Sequence, residues 1–134
     1  MDTAYFILYV ADQARSTAFY AQVLARPPRL QVPGMSEFLL PGGAVLGLMP
    51  QQGIRKLLGP ELPLPKPDDT GARCELYLLV DDPDTWHRRC LAAGARELSG
   101  LQVRDWGHAA AYSLDPDGHV LAFATPQDHA LPTR

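Results

Sequence analysis

The feature that most constrains this chain is an internal duplication. The run Tyr5-Phe6-Ile7-Leu8-Tyr9-Val10 is aromatic and β-branched, ends at Asp12, and precedes a helical pattern. The run Glu75-Leu76-Tyr77-Leu78-Leu79-Val80 does the same, ending at Asp81-Asp82. Short extended segments follow each helix. The order is β-α-β-β-β twice, with Asp12 matching Asp82. A length of 134 residues gives both copies one domain's worth of core and no room for two independent domains.

Local chemistry sharpens the pattern. Asp12 is suited to cap the first helix, because its carboxylate can accept from free first-turn amides. Phe19 and Val23 share a helical face, with Tyr20 and Leu24 beside them, and Pro27-Pro28 ends the helix. Segments 36–40 and 44–49 flank Pro41-Gly42-Gly43 and read as a hairpin with a tight turn. Prolines at 50, 60, 63, 65 and 67 make the next stretch read as an irregular linker or covering loop. In the second copy Pro83 suits a first helical turn, Trp86, Cys90 and Ala93 share a face, and Gly94 suits the C-terminal end. Strands over 109–114 and 119–124 are joined by the turn residues Asp115-Pro116-Asp117-Gly118. The expected organisation is one domain over 1–134, with module 1 at about 4–50, a linker at about 51–71 and module 2 at about 72–126.

Charge and cysteine usage exclude several classes. A net charge of −3 without a basic run argues against nucleic acid as a partner. No apolar stretch reaches the roughly 18 residues of a membrane span, and residues 1–5 lack the basic and apolar regions of a signal peptide. Cys74 and Cys90 form no disulfide framework and read as small buried thiols in a reducing compartment, so the expected location is the cytoplasm.

Several motifs resemble those of the vicinal-oxygen-chelate superfamily, the glyoxalase, bleomycin-resistance and extradiol-dioxygenase group. They are Val10-Ala11-Asp12 with Ser16-Thr17-Ala18-Phe19-Tyr20 and Val23-Leu24, Leu79-Val80-Asp81-Asp82, Ala92-Ala93-Gly94-Ala95, Trp106-Gly107, and Tyr112-Ser113-Leu114-Asp115-Pro116-Asp117-Gly118-His119. The resemblance implies an α+β fold in which two βαβββ modules form a curved mixed sheet, a cup, with helices outside. It also implies a homodimer, by analogy alone.

The resemblance further implies a divalent metal held by His, Glu or Gln from the first and last strands of each module. The matching positions here are Tyr5, Gly47, Glu75 and Ala122. Only Glu75 is a good ligand, since a phenol titrates near 10 and glycine and alanine offer no side-chain donor. A one-residue shift brings in only Leu46, Leu48, Leu121 or Phe123. No metal and no other cofactor is therefore expected. His87, His119 and His129 read as solvated surface residues, and His108 alone lies near the expected pocket mouth.

Strand alternation sorts the rest. If Tyr5 and Glu75 face the cup, so do Ile7, Tyr9, Tyr77 and Leu79, with Val45, Gly47, Met49, Val120, Ala122 and Ala124. Gly47 and Ala122 would leave volume there. Tyr112 takes a position that the family often fills with an aromatic pocket residue, and Trp106 could form a lip. The expected ligand-binding set is Tyr5, Tyr9, Met49, Glu75, Tyr77, Trp106, His108 and Tyr112. The tyrosines could equally be core. Glu75 must be ligand-facing, paired (Tyr5, His108 and Arg104 being the possible partners) or exposed, because an unpaired carboxylate in an apolar strand is costly. The leading expectation is a metal-independent binding protein that sequesters an aromatic or cationic small molecule in the cup. The alternatives are a lyase, isomerase or dioxygenase with an atypical or absent metal site, and an interaction module that uses its surface.

Overall fold

A computed structural model of the chain describes residues 2–66, 71, 72 and 74–127. It divides into two compact units, residues 1–69 and 70–134. The first contains β1 (Tyr5–Val10), α1 (Gln13–Leu24), β2 (Leu30–Val32), β3 (Met35–Leu39), β4 (Val45–Pro50) and α2 (Gln51–Leu58). The second contains β5 (Glu75–Leu79), α3 (Pro83–Ala92), β6 (Arg96–Val103), β7 (His108–Leu114) and β8 (Val120–Pro126). Each unit has one four-stranded mixed sheet, ordered β1-β4-β3-β2 and β5-β8-β7-β6. In both, the first strand lies parallel to the last and the other pairings are antiparallel. The duplicated sequence thus gives duplicated topology, of the α+β class. None of the described helices is long and apolar enough to cross a membrane.

Matching caps start the equivalent helices. Asp12 accepts from the Arg15 amide at 3.0 Å, and Asp82 accepts from the Thr85 hydroxyl at 2.7 Å and its amide at 3.4 Å. Those two bonds to Thr85 hold the Asp82 carboxyl below its ordinary pKa. Helix α1 ends at Ala25, which takes a left-handed φ of 56° just before Pro27-Pro28. Helix α3 ends before Gly94, whose φ of 111° costs a residue without a side chain little.

Each sheet packs one face on its helix. The Thr17 hydroxyl of α1 lies within hydrogen-bond distance of Ser36 Oγ, at 2.7 Å, which fixes Ser36 on the α1 face of β3. Phe38, Leu46, Leu48, Leu8 and Val10 are buried beside Phe19, Tyr20, Val23 and Leu24 of the helix. In the second unit Trp86 stacks on Phe123 at 5.8 Å and Cys90 lies 3.3 Å from Ser113, so β7 and β8 turn Ser113 and Phe123 toward α3. Burial pushes the Cys90 thiol above its ordinary pKa.

Several expectations need correction. The stretch after Pro50 is not wholly irregular. Gln51-Gln52-Gly53-Ile54-Arg55-Lys56-Leu57-Leu58 is proline-free, starts after Pro50, buries Ile54 and forms α2. The prolines that obscured it all lie outside the helix. The Pro41-Gly42-Gly43 link is a short 3-10 turn with positive φ at both glycines. Cys74 is exposed, because it precedes β5 instead of lying within it.

The histidines differ most from expectation. His87 is 2% exposed, because Pro83, His87 and Cys90 form the buried stripe of α3. Its Nε2 lies 2.8 Å from Glu97 Oε2, and its Nδ1 has no partner among the described residues. His119 is half-buried, and its Nδ1 lies 2.9 Å from Asp115 Oδ2. Burial alone would lower the pKa of His119, but the hydrogen bond and charge of Asp115 and the charge of Asp117 raise it overall. The expectation for His129 falls outside the described residues.

Candidate functional site

Residues fall on the face opposite α3 by register. Tyr77 pairs with Ala122 and Ala122 with Tyr112, so these three cross the sheet in one row. Alternation adds Glu75 and Leu79 on β5, His108 and Ala110 on β7, and Val120 and Ala124 on β8. Ala110, Ala122 and Ala124 are buried, Tyr77, His108 and Tyr112 half-buried, and Glu75 and Trp106 exposed.

Four aromatic rings gather there. The Tyr77 hydroxyl lies 2.7 Å from His108 Nδ1, and the two rings stack with centroids 5.8 Å apart and planes 30° apart. The Trp106 indole N–H donates to the same hydroxyl at 2.9 Å. Trp106 comes from the link between β6 and β7, whose ends meet because the Arg104 amide donates to the His108 carbonyl at 2.7 Å. Tyr112 forms the other flank. Burial raises its phenol above the ordinary value, helped by the Glu75 charge and by Tyr77, while Arg104 works the other way.

Arg104 is a site residue for which sequence reasoning gave the wrong role. It was a possible partner for Glu75. Instead its guanidinium lies over the Tyr112 ring at 5.2 Å and donates to the Ala110 carbonyl, the Gly100 carbonyl and Ser99 Oγ at 2.7–3.1 Å. His108 likewise bonds Tyr77 and not Glu75. Glu75 has no hydrogen-bond partner among the described residues, and its position at the exposed start of β5 removes the cost of leaving it unpaired.

The other three expected residues, Tyr5, Tyr9 and Met49, lie on the corresponding face of the first sheet, opposite α1. That face is organised differently. Arg29 donates through Nη2 to the Tyr5 hydroxyl at 2.8 Å and through Nε to Glu37 Oε1 at 2.9 Å, with its guanidinium 5.8 Å from the Tyr5 ring centre. The Glu37 bond, foremost, raises the Arg29 pKa. Arg29 and Glu37 carried no signal in one sequence, since they belong to different segments that only the β2–β3 pairing joins. The volume expected over Gly47 is taken. A Cβ there would collide with Ile7 Cδ1 and stand 3.3 Å from Met35 Sδ.

The metal positions can be tested on this chemistry. Tyr5 Oη already accepts from a guanidinium, and Gly47 and Ala122 carry no donor. Glu75 is the one carboxylate of the set, and no group of three His, Cys, Asp or Glu able to hold a metal occurs among the described residues. These residues do not fit a centre that needs two or three converging nitrogen or oxygen ligands.

Comparison with known proteins gives one consistent answer. The family model described as Glyoxalase/Bleomycin resistance protein/Dioxygenase superfamily matches residues 3–123. A glyoxalase-related enzyme from Fulvimarina pelagi superposes with a TM-score of 0.76 at 23% identity, covering 91% of this chain and 86% of its own. A glyoxalase/bleomycin resistance protein/dioxygenase from Nocardioides gives 0.77 at 23% identity, over 98% and 87% of the two chains. A glyoxalase/bleomycin resistance protein/dioxygenase family enzyme from Burkholderia phytofirmans PsJN gives 0.77 at 20%, over 92% and 97%. No curated protein matches. At these identities the structural likeness shows the fold alone.

Proposed function

The chain belongs to the Glyoxalase/Bleomycin resistance protein/Dioxygenase superfamily, and from that premise we propose that it is a metal-independent binding protein for a flat aromatic or cationic small molecule. One observation carries the reading. On the face opposite α3, Tyr77, His108, Trp106 and Tyr112 surround small buried alanines beside Glu75, a carboxylate with no hydrogen-bond partner among the described residues. Aromatic faces attract flat rings and cations, and a nearby carboxylate adds charge selectivity. The metal positions support binding over metal-assisted chemistry, because three of the four offer no good donor.

Calorimetric titration with N-methylquinolinium, a flat organic cation, tests this. Trp106→Ala and Glu75→Gln are each expected to weaken binding about tenfold, the scale of a partly desolvated cation–π or charge contact. The uncharged analogue naphthalene-2-ol is expected to lose affinity with Trp106→Ala and not with Glu75→Gln. Saturable binding that neither substitution changes would place the ligand elsewhere and sink the reading.

A further inference from the structure

The Tyr77 hydroxyl has two hydrogen-bond partners among the described residues, and their chemistry gives the chain a direction. Indole N–H can only donate, so Trp106 donates to Tyr77 at 2.9 Å. Tyr77 keeps its own hydrogen, and the acceptor within reach is His108 Nδ1 at 2.7 Å. If Nδ1 carried the hydrogen instead, Tyr77 would accept twice and its own O–H would have no acceptor among the described residues. That arrangement forfeits a hydrogen bond in a half-buried place.

We propose that Trp106 and Tyr77 form a directed relay that fixes neutral His108 as its Nε2–H tautomer, so that His108 selects flat ligands bearing a hydrogen-bond-accepting oxygen. His108 Nε2 has no partner among the described residues. The second nitrogen of a histidine is set by the bond that the first one makes. Tyr77 and Trp106 are therefore positioning residues, and His108 makes the contact. This deepens the binding reading above, since it names the ligand class of the same site. The flat ring lies against the aromatics and an oxygen accepts from Nε2–H, as a carbonyl or N-oxide can.

Long-range proton–nitrogen NMR on the uniformly labelled protein reads the tautomer without any ligand. The expected result is an unprotonated His108 Nδ1 and a protonated Nε2 in the wild type. In Tyr77→Phe, and more weakly in Trp106→Phe, the two tautomers are expected to mix. A purely structural role for these side chains would not move that signature. A protonated Nδ1 in the wild type would overturn the relay, as would an unchanged tautomer in Tyr77→Phe. Affinity is then compared for quinoline N-oxide, which offers an acceptor oxygen, and N-methylquinolinium, which does not. His108→Phe is expected to cost the N-oxide about tenfold and the methyl cation little. Equal effects on both would overturn His108 as the selector. If neither probe binds while the wild-type tautomer is as expected, the binding reading fails and the relay stands.

Discussion

The two halves share one topology and use the face opposite the helix in opposite ways. In the first, Arg29 pairs with Glu37 and donates to the Tyr5 hydroxyl, and Ile7 fills the space over Gly47. In the second, Tyr77, His108 and Trp106 bond among themselves while Glu75 stays unpartnered among the described residues. Equivalent positions carry Tyr5 and Glu75, Ile7 and Tyr77, and Glu37 and Tyr112. Duplication has kept the backbone while the side chains have diverged: the first face pairs its charges internally, and the second leaves the Glu75 carboxylate exposed at a strand end.

The hairpins that close the two sheets give the sharpest test of that divergence. In the second unit Asp115 accepts from the amides of Asp117 and His119 at 2.9 Å each and from His119 Nδ1, with its side chain fully buried. In the first, the turn depends on backbone conformation, with φ of 82° at Gly42 and open space around it. Asp115→Ala is expected to destabilise by about 2–4 kcal/mol, since it removes three bonds to a charged acceptor. Gly42→Ala should cost only about 1 kcal/mol, the backbone cost of a left-handed residue. Urea unfolding checks both. Both tryptophans lie in the second unit, so their fluorescence follows Asp115→Ala, and circular dichroism follows Gly42→Ala. Equal losses would break the contrast.

Arg29→Met provides a gentler test. It removes the cation that ties the first face together, and solvent screens exposed pairs of this kind so that they contribute little. A small loss of stability with unchanged N-methylquinolinium affinity is the expected outcome. A tenfold loss of affinity would show that the first face also binds, and the contrast between the two faces would fall.

The smallest effect is one of pH. The Asp115 contact raises the folded pKa of His119 above its ordinary 6.5. Stability from a raised histidine is complete below the unfolded value and is lost as pH rises through the folded one. The stability advantage of wild type over His119→Gln is therefore expected to be larger at about pH 5.5 than at about pH 8.5. An advantage that grew with pH would mean that the neutral ring is the bonded form.

Much of the fold was legible because it rests on local chemistry. Asp12, Asp82, Gly94 and the 115–118 turn each satisfy or bend backbone groups a few residues away, so their roles survive without tertiary information. Alternation along the strands likewise put Tyr77 on the face opposite its helix, whereas Tyr112 was assigned there by the family resemblance and not by periodicity. Helix α2 was hidden because an eight-residue helix gives little periodicity beside a proline-rich tail. His87 was hidden because its polarity outweighed its position, although Glu97, on a separate strand, satisfies one ring nitrogen.

The sequence by itself determined the repeat, the family resemblance and the poverty of metal donors, because periodicity, spacing and side-chain chemistry are properties of the chain alone. Only the tertiary structure decided which polar groups meet. Arg29 with Tyr5, Tyr77 with His108, and Arg104 with the Ala110 carbonyl all depend on strand register and loop path. Hydrogen bonds act over about 3 Å, and no pattern along a single chain fixes separations between distant residues that finely.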